Sequence, residues 1–461
     1  MDVNENFVGL EFNAVYIGMC AYLVFMIIPG LALLYGGLAR RRSALSMLFL
    51  GLAVTAVTTF QWTFWGYSLA YSDTAGPFIG NMDKFGLRTV MSVPSGTLPE
   101  ITFCLYQLMF CIVTVMILVG GTFERGRIIP TLVFAWCWAT IVYCPIACWT
   151  WNANGWLYNL PSLDYAGGGP VHIASGCGAL AYAIALGPRK SYGQAHLSKP
   201  HNISMVFIGT ILIWFGWFGF NGGSTLNSSV RSYLAAYNTN IAASMGVVGW
   251  VIVDMIRTKG KFSAAGACEG AIAGLVGITP AAGYVQIWLA AVIGLLTGAA
   301  CASLHNLNKW IRVDEGLDVF KLHGVGGMVG SFLTGLFATN GISLLDGATE
   351  APGAIDGEGV QVARQLADIA SVASYSFVVS LILAFALKFI GRFVPLMDIR
   401  IHEDGEQEGI DMHEFFEEEV GDWSILSHNA HPPTLEGNKV SAPSSPPNGK
   451  MEDTKPVNTT V

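Results

Sequence analysis

Two histidines stand inside long apolar stretches of the sequence, and each follows an aspartate by a few residues. His172 ends the run Asp164-Tyr-Ala-Gly-Gly-Gly-Pro-Val-His172, and His323 lies in Asp318-Val-Phe-Lys-Leu-His323-Gly-Val-Gly-Gly. The remaining histidines lie at the edge of an apolar segment, in polar connections or near the C-terminus. A neutral imidazole has one donor and one acceptor nitrogen, so two facing rings can pass a proton. We therefore expect these two histidines to form a facing pair.

Aromatic and hydroxyl side chains elsewhere in the apolar segments are suited to holding a small cation. They are Tyr106 and Phe110, one helical turn apart, Trp151, Phe220 and Ser224. Taken singly, each such residue is more often a packing or interfacial residue. A cation nevertheless binds favourably over an aromatic face. A cation site is therefore one interpretation of the group.

The sequence does not indicate a metal or cofactor site. Catalytic zinc usually has three protein ligands, and the two histidine motifs supply no third. The nine cysteines fall within or at the edges of apolar segments without metal-ligand spacing, so we interpret them as small hydrophobic residues and expect no disulfides. We predict no cofactor and no metal centre. The interpretation as a metalloenzyme ranks far below the interpretations in which the protein is not an enzyme.

The composition indicates an integral membrane protein. Of 461 residues, 52% are hydrophobic and only 12% are charged, whereas about a quarter of the residues of a soluble domain are charged. About twenty consecutive apolar residues form one helical span. The apolar runs do not alternate as barrel strands would, so we predict an all-α bundle in the lipid bilayer, with no nucleic-acid partner. Eleven candidate spans lie at about residues 13–38, 44–71, 101–121, 129–149, 165–187, 203–220, 232–256, 263–279, 283–305, 320–339 and 372–393.

Lysine and arginine are unequally divided between alternate loops, with thirteen in one set and four in the other. Because cytoplasmic loops carry the excess of these residues, we predict an external N-terminus and a cytoplasmic C-terminus. The first span is preceded by acidic residues and is too long for a signal peptide, so we expect it to remain. Residues 1–393 are then the transmembrane domain. Residues 394–461 form a cytoplasmic tail whose last thirty or so residues have a disordered composition.

The two halves of the chain repeat one another weakly, because spans five and ten each carry an acid and a histidine near the start. Five spans per half invert the second copy, so we predict a five-plus-five inverted repeat with an additional eleventh span and a shared site near the midplane. Counted along ideal helices, His172 lies about 12 Å deep from one side and His323 about 8 Å from the other. That count leaves about 10 Å between them in a core of roughly 30 Å. Contact then requires helix starts recessed beneath vestibules.

Four motifs together resemble the ammonium transporter family (Amt/Mep/Rh), and its fungal Mep branch in particular. They are Asp164-x7-His172, Phe220-Asn-Gly-Gly-Ser224, Phe123-Glu-Arg125 and Asp318-x4-His323-Gly-Val-Gly-Gly327, and the match covers about residues 10–415. The resemblance implies a homotrimer of eleven-helix subunits, each with its own pore. The tail segment Glu408-Gly-Ile-Asp411 also resembles a signature that packs on the cytoplasmic face in this family.

The resemblance also assigns roles to the residues named above. Trp151 and Ser224 match an outer ammonium site, Phe110 and Phe220 a stacked gate beneath it, and His172 and His323 the twin histidines. Asp164 matches the acid that organises the outer site, although a helix cap is a simpler role for it. The expected function is a high-affinity plasma-membrane permease for ammonium, with methylammonium as a poorer substrate.

Two matters remain open at this point. An ammonium sensor that signals nitrogen status through its tail is the alternative function. A kinase could regulate docking of the acidic segment Glu414–Trp423 on the basic loops, because phosphorylation adds negative charge. The candidate sites are Ser424, Ser427, Ser441, Ser444 and Ser445.

Overall fold

Eleven apolar helices run through the residues that the computed structural model describes, which are 7–91, 93–190, 192–193, 200–347 and 349–416. Eight of them have the length and apolarity of a full span, α8 and α9 are shorter apolar helices, and α10 bends by 94° into the short helix Asn340–Asp346. The bounds are α1 Glu11–Leu38, α2 Arg41–Tyr71, α3 Glu100–Thr122, α4 Ile128–Asn159, α5 Gly168–Leu186, α6 Ile203–Thr225, α7 Val230–Arg257, α8 Ala264–Ile278, α9 Ile287–Ser303, α10 Phe320–Phe337 and α11 Val360–Gly391.

Within the described residues, the connections contain only short elements. The loop before α3 holds a small antiparallel pair of strands, Pro94–Ser95 and Leu98–Pro99. A short helix, Leu307–Ile311, lies between α9 and α10. After α11 come α12, Glu403–Glu408, and α13, Asp411–Glu414. The described part of the tail is therefore folded, and the predicted disordered end lies outside the described residues.

The helix contacts follow the predicted division into two halves. α1 packs on α6, α5 packs on α10, and α7 packs on α8 and α9. Within the first and second half, α1 corresponds to α6 and α5 to α10, so corresponding helices meet where the halves join. α11 packs along α5 and lies outside the repeat. The eleven-helix, five-plus-five architecture expected from the sequence is the observed one.

The predicted start of the eleventh span, at residue 372, is wrong. α11 begins at Val360, because the polar residues of its first turns are buried against the segment before α5 and are bonded there. The amide of Gln365 accepts a hydrogen bond from Leu163 N (2.7 Å) and donates one to Leu163 O (2.7 Å). An apolarity count stops at such residues, although buried polar groups that are hydrogen-bonded are well tolerated in a helix.

Candidate functional site

His172 and His323 meet at the centre of the fold. Their Nδ1 atoms lie 3.2 Å apart, and the ring centroids lie 5.3 Å apart with 28° between the planes. Both side chains are buried, with 0% and 3% of the residue surface exposed. One Nδ1 must carry the hydrogen and the other accept it, so the two rings are held in different tautomers. The predicted facing pair is thus the geometry observed.

The estimate of about 10 Å between the histidines along ideal helices is wrong, because α5 begins below the surface. α5 starts at Gly168, which is buried, as are Asp164 and Gly167 before it. Each histidine lies in a wide π-helical turn, Gly168–Ile173 and Phe320–Val325.

Glycine then lets the two helices approach closely. A Cβ on Gly176 of α5 would overlap the backbone of Gly324 of α10. Small residues permit such contacts between helices in a membrane. The close crossing of α5 and α10 is therefore what brings the two imidazoles together.

Two stacked phenylalanines cover the histidine pair. The rings of Phe110 and Phe220 lie 4.0 Å apart with 19° between their planes, and both are buried. Phe220 also lies 6.2 Å from the His172 ring. The predicted gate residues are therefore in contact with each other and stand directly beside the first histidine.

Trp151 lies at the break within α4, before its short last helix Trp156–Asn159, and Ser224 lies in the last turn of α6. Both are on the side of the bundle opposite the tail. Trp151 packs edge-on against Phe110 at 6.0 Å. The Ser224 hydroxyl donates to Phe220 O (2.8 Å) and lies 3.3 Å from the Tyr106 hydroxyl, which itself donates to Phe220 O (2.6 Å). The five residues form one continuous group, with Trp151 and Ser224 at its more exposed edge.

Asp164 caps the N-terminus of α5. Its carboxylate accepts hydrogen bonds from the backbone N–H groups of Gly167 (2.6 Å), Gly168 (2.8 Å) and Gly169 (2.7 Å). Gly167 has φ +111°, a left-handed conformation that favours glycine. Helix N-terminal N–H groups have no partner within the helix, and a carboxylate there also complements the helix dipole. The main contacts of Asp164 are therefore with the backbone that carries His172.

Two further residues belong to this region and were not predicted. Trp217 of α6 stacks on the His172 ring at 5.2 Å and 13°, and its indole N–H donates to Thr279 Oγ1 (2.9 Å). Asp368 of α11 is fully buried, and a Cβ on Gly169 would lie 3.2 Å from Asp368 Oδ1 and 3.4 Å from Asp164 Oδ2. An acid inside an apolar segment is a recognisable signal. The late start assigned to the eleventh span hid it.

At the opposite end, charged side chains from four loops and the tail form a network that we name the tail junction. Arg189 makes two hydrogen bonds to Asp314 (2.9 and 2.8 Å) and one to Glu124 (2.8 Å). Burial alone would raise the pKa of Asp314, but the hydrogen bonds and charge of Arg189 hold that pKa below its ordinary value. The members of the tail junction are Arg40, Glu124, Arg189, Asp314, Arg400 and Glu406.

The tail enters this network through α12 and α13. The Glu406 carboxylate accepts from Lys190 N (2.6 Å) and from Arg400 (2.7 Å). Asp411, within the predicted tail signature, accepts from Leu45 N (2.8 Å) and Ser46 N (2.9 Å) near the start of α2. Glu414 pairs with Arg127 at 3.2 Å. The rest of the acidic segment, from residue 417, and the five candidate serines lie outside the described residues.

A histidine pair buried in an eleven-helix bundle, beneath stacked aromatic rings, defines a multi-pass membrane protein of the transporter and channel class. A family model described as Ammonium Transporter Family matches residues 14–420. The chain therefore belongs to the ammonium transporter family.

Three of the similar proteins are fungal. Ammonium transporter 1 of Schizosaccharomyces pombe is 46% identical over 416 residues, which are 89% of this chain and 82% of that protein. Ammonium transporter MEP2 of Saccharomyces cerevisiae is 43% identical over 454 residues, 96% of this chain and 89% of that protein. The crystal structure of Candida albicans Mep2 matches with a TM-score of 0.83 and 46% identity, covering 88% of this chain and 89% of that one. The resemblance to the fungal Mep branch is thus confirmed.

Proposed function

We propose that the protein is a high-affinity ammonium permease of the plasma membrane, which binds ammonium outside, removes a proton and passes ammonia through the histidine-lined centre. The observation that carries this proposal is the contact of 3.2 Å between the two buried imidazoles beneath the Phe110–Phe220 stack. Trp151 and Ser224 are the proposed outer site. Asp164 contributes by fixing the start of α5 and by its negative charge.

The chemistry follows from the cost of dehydration. An isolated ion in a medium of low dielectric costs tens of kcal/mol relative to water, so ammonium must either lose a proton or keep polar partners. The rings of the Phe110–Phe220 stack have no hydrogen-bonding groups, whereas the histidine pair beneath it has a hydrogen-bond donor and an acceptor. Ammonium can therefore cross as ammonia while its proton passes along the two imidazoles. Potassium has no proton to release, so this route selects against it.

The same proposal includes the assembly and the orientation. The N-terminus lies outside, the C-terminus lies in the cytoplasm, and three subunits, each with its own pore, form a homotrimer. Residues 1–393 carry transport. Residues 394–461 regulate it through docking at the tail junction, with a kinase acting on the serines beyond residue 416. The excess of Lys and Arg in one set of loops supports this orientation.

The test is transport by the purified full chain in proteoliposomes. We expect ammonium to evoke a current that potassium at equal concentration does not, and methylammonium to evoke a smaller one because its methyl group crowds the phenylalanine stack. Ammonium-driven signalling by a variant without measurable transport would favour the sensor instead. A reconstituted protein that gives no ammonium-dependent flux of either charge or ammonia would contradict the permease.

A further inference from the structure

A small cavity lies directly against His323, on its tail side. Its volume is about 20 Å³, and its walls are mostly leucine, isoleucine and valine side chains of α1, α8 and the start of α10. The carboxylate-bearing residue in its lining is Glu269 of α8. A volume of this size holds about one water-sized molecule. One ammonia or one water can therefore stand between the His323 ring and the Glu269 side chain.

A second cavity continues from this point toward the tail side. It has a volume of about 160 Å³, and its lining includes Glu269, Asp318, Glu124 and Arg189. Because Glu269 lines both cavities, its side chain stands where the apolar cavity next to His323 meets a polar one. A proton or an ammonia molecule that leaves His323 toward the tail therefore meets Glu269 as its first carboxylate.

The charges around Glu269 leave it with a negative excess. Lys321 Nζ lies 3.7 Å from the Glu269 carboxylate but only 2.6 Å from Asp318, and it also faces the Trp250 ring at 5.1 Å. The carboxylates of Glu269 and Asp318 thus share the single positive charge of the Lys321 side chain. On α7, Asp254 pairs with Arg257 at 2.6 Å and adds no net charge.

A purely structural role accounts poorly for this arrangement. If Glu269 served only to neutralise the buried Lys321, the closer Asp318 would already suffice. A second carboxylate in the first two turns of a membrane helix has a desolvation cost, and ionisable residues in membrane segments usually have a function. Its place between the two cavities supplies that function.

We propose that Glu269 is the exit proton acceptor, which takes the proton released by His323 and hands it to the tail-side cavity. This inference rests on the proposed function. In the first step an N–H bond of the His323 imidazolium breaks, directly or through the one intervening molecule, and an O–H bond forms on Glu269. In the second step that O–H bond breaks, and ammonia or water in the wider cavity takes the proton to become ammonium or hydronium. Glu269 returns to the carboxylate, and no electrons are transferred.

The test is Glu269→Gln, which keeps the shape of the side chain and removes its acid. We expect the maximal ammonium-evoked current in proteoliposomes to fall by at least about tenfold, since positioned acid–base groups contribute this much or more. The half-saturating ammonium concentration should stay close to the wild-type value, because the outer site is untouched. The matched control is Asp254→Asn, a carboxylate of the same end that is paired with Arg257 and does not line either cavity. A wild-type maximal current in Glu269→Gln would overturn the inference.

Two further measurements separate this inference from its premise and from misfolding. If His323→Ala abolishes the current while Glu269→Gln leaves it intact, the proposed function survives and the exit role fails. If both variants conduct normally, the proton relay of the proposed function fails, and the exit role fails with it. Should Glu269→Gln not fold, Glu269→Asp decides, because it retracts the acid by one methylene. A changed dependence of its current on tail-side pH supports the exit role, and a wild-type dependence overturns it.

Discussion

His172 and His323 each have the other ring as side-chain hydrogen-bond partner within the described residues, whereas most charged groups of the tail junction have two or more partners. Glu124, for example, accepts from Arg40 N (2.8 Å), from Arg40 Nε (3.2 Å) and from Arg189 (2.8 Å). Around the histidines stand aromatic rings and glycines. The proposed pore therefore depends on one polar contact, whereas the tail junction is held by many.

This difference has a physical origin. A proton relay needs a particular pair of nitrogen atoms at hydrogen-bond distance, and no neighbouring ring can replace one of them. In a charged network the loss of one group leaves its partners with others, and water is close by. We therefore expect single substitutions to be severe in the pore and graded in the junction. Each of the following experiments tests that expectation.

The largest expected effect is that of His172→Ala. Removing one imidazole leaves His323 without its hydrogen-bonded neighbour, so the ammonium-evoked current should fall by about 100-fold or more, the range expected for loss of a positioned acid–base group. Ammonium binding at Trp151 and Ser224 should largely survive. Currents are compared at matched protein amounts in proteoliposomes, with His305→Ala, an exposed histidine outside the pore, as control. An unchanged current in His172→Ala would remove the relay and with it the contrast between the two regions.

His172→Glu is a milder change at the same position. A carboxylate can still accept and release a proton, but it also holds a bare cation. We expect this variant to keep roughly a tenth of the ammonium current, since part of the acid–base contribution remains, and to admit potassium. The measurement is the ratio of potassium to ammonium current in wild type and variant. Exclusion of potassium as strict as in wild type would show that selection lies above the histidines, at the phenylalanine stack.

Asp411 makes one of the stronger contacts between the tail and the membrane helices, because its carboxylate caps the start of α2. Replacing it with alanine leaves two backbone N–H groups without their acceptor, and loss of such a cap costs about 1 kcal/mol. We expect Asp411→Ala to lower uptake several-fold and to loosen the tail, measured as faster proteolysis after residue 400. Asn438→Ala, in the tail but not among the candidate phosphorylation sites, is the comparison for the effect of substitution as such. Normal uptake with a released tail would make residues 394–461 a linker without regulatory effect.

The sequence predicted the facing histidine pair better than the tail junction, for a reason that the two regions make clear. Histidine in an apolar run is conspicuous because membrane spans rarely contain ionisable residues. The spacing of His172 and His323 along straight helices nevertheless misplaced them by several ångströms. What brings them together is the close crossing at Gly176 and Gly324 and the recessed start of α5, and neither can be read from helical rise alone.

The tail junction was harder to predict because its partners are distant in sequence. Glu406 joins residues near 190 and 400, and Asp411 joins the tail to residues 45 and 46. Counts of charged residues showed that the loops are basic and that the tail is acidic, so docking of the tail on the loops was expected. Which residues pair with each other could be seen only in the folded structure. Asp368 and Glu269 were overlooked for a different reason. Asp368 lies before residue 372, where the eleventh span was predicted to begin, and Glu269 is a single acid that no second motif accompanies.

The smallest expected effect is that of Lys190→Ala at the edge of the tail junction. Lys190 Nζ pairs with Glu403 at 2.7 Å, and both side chains are exposed, so solvent screens the pair. The bond that ties this residue to the tail comes from its backbone N–H, which donates to Glu406 and survives any substitution other than proline. We therefore expect uptake in Lys190→Ala to stay within about twofold of wild type, as is usual for exposed ion pairs, and Lys190→Pro, which removes the backbone donor, to be clearly worse. Uptake in cells at matched surface abundance measures both. If the alanine variant lost as much uptake as His172→Ala, the tail junction would not spread its function over many contacts, and the distinction between the two regions would fail.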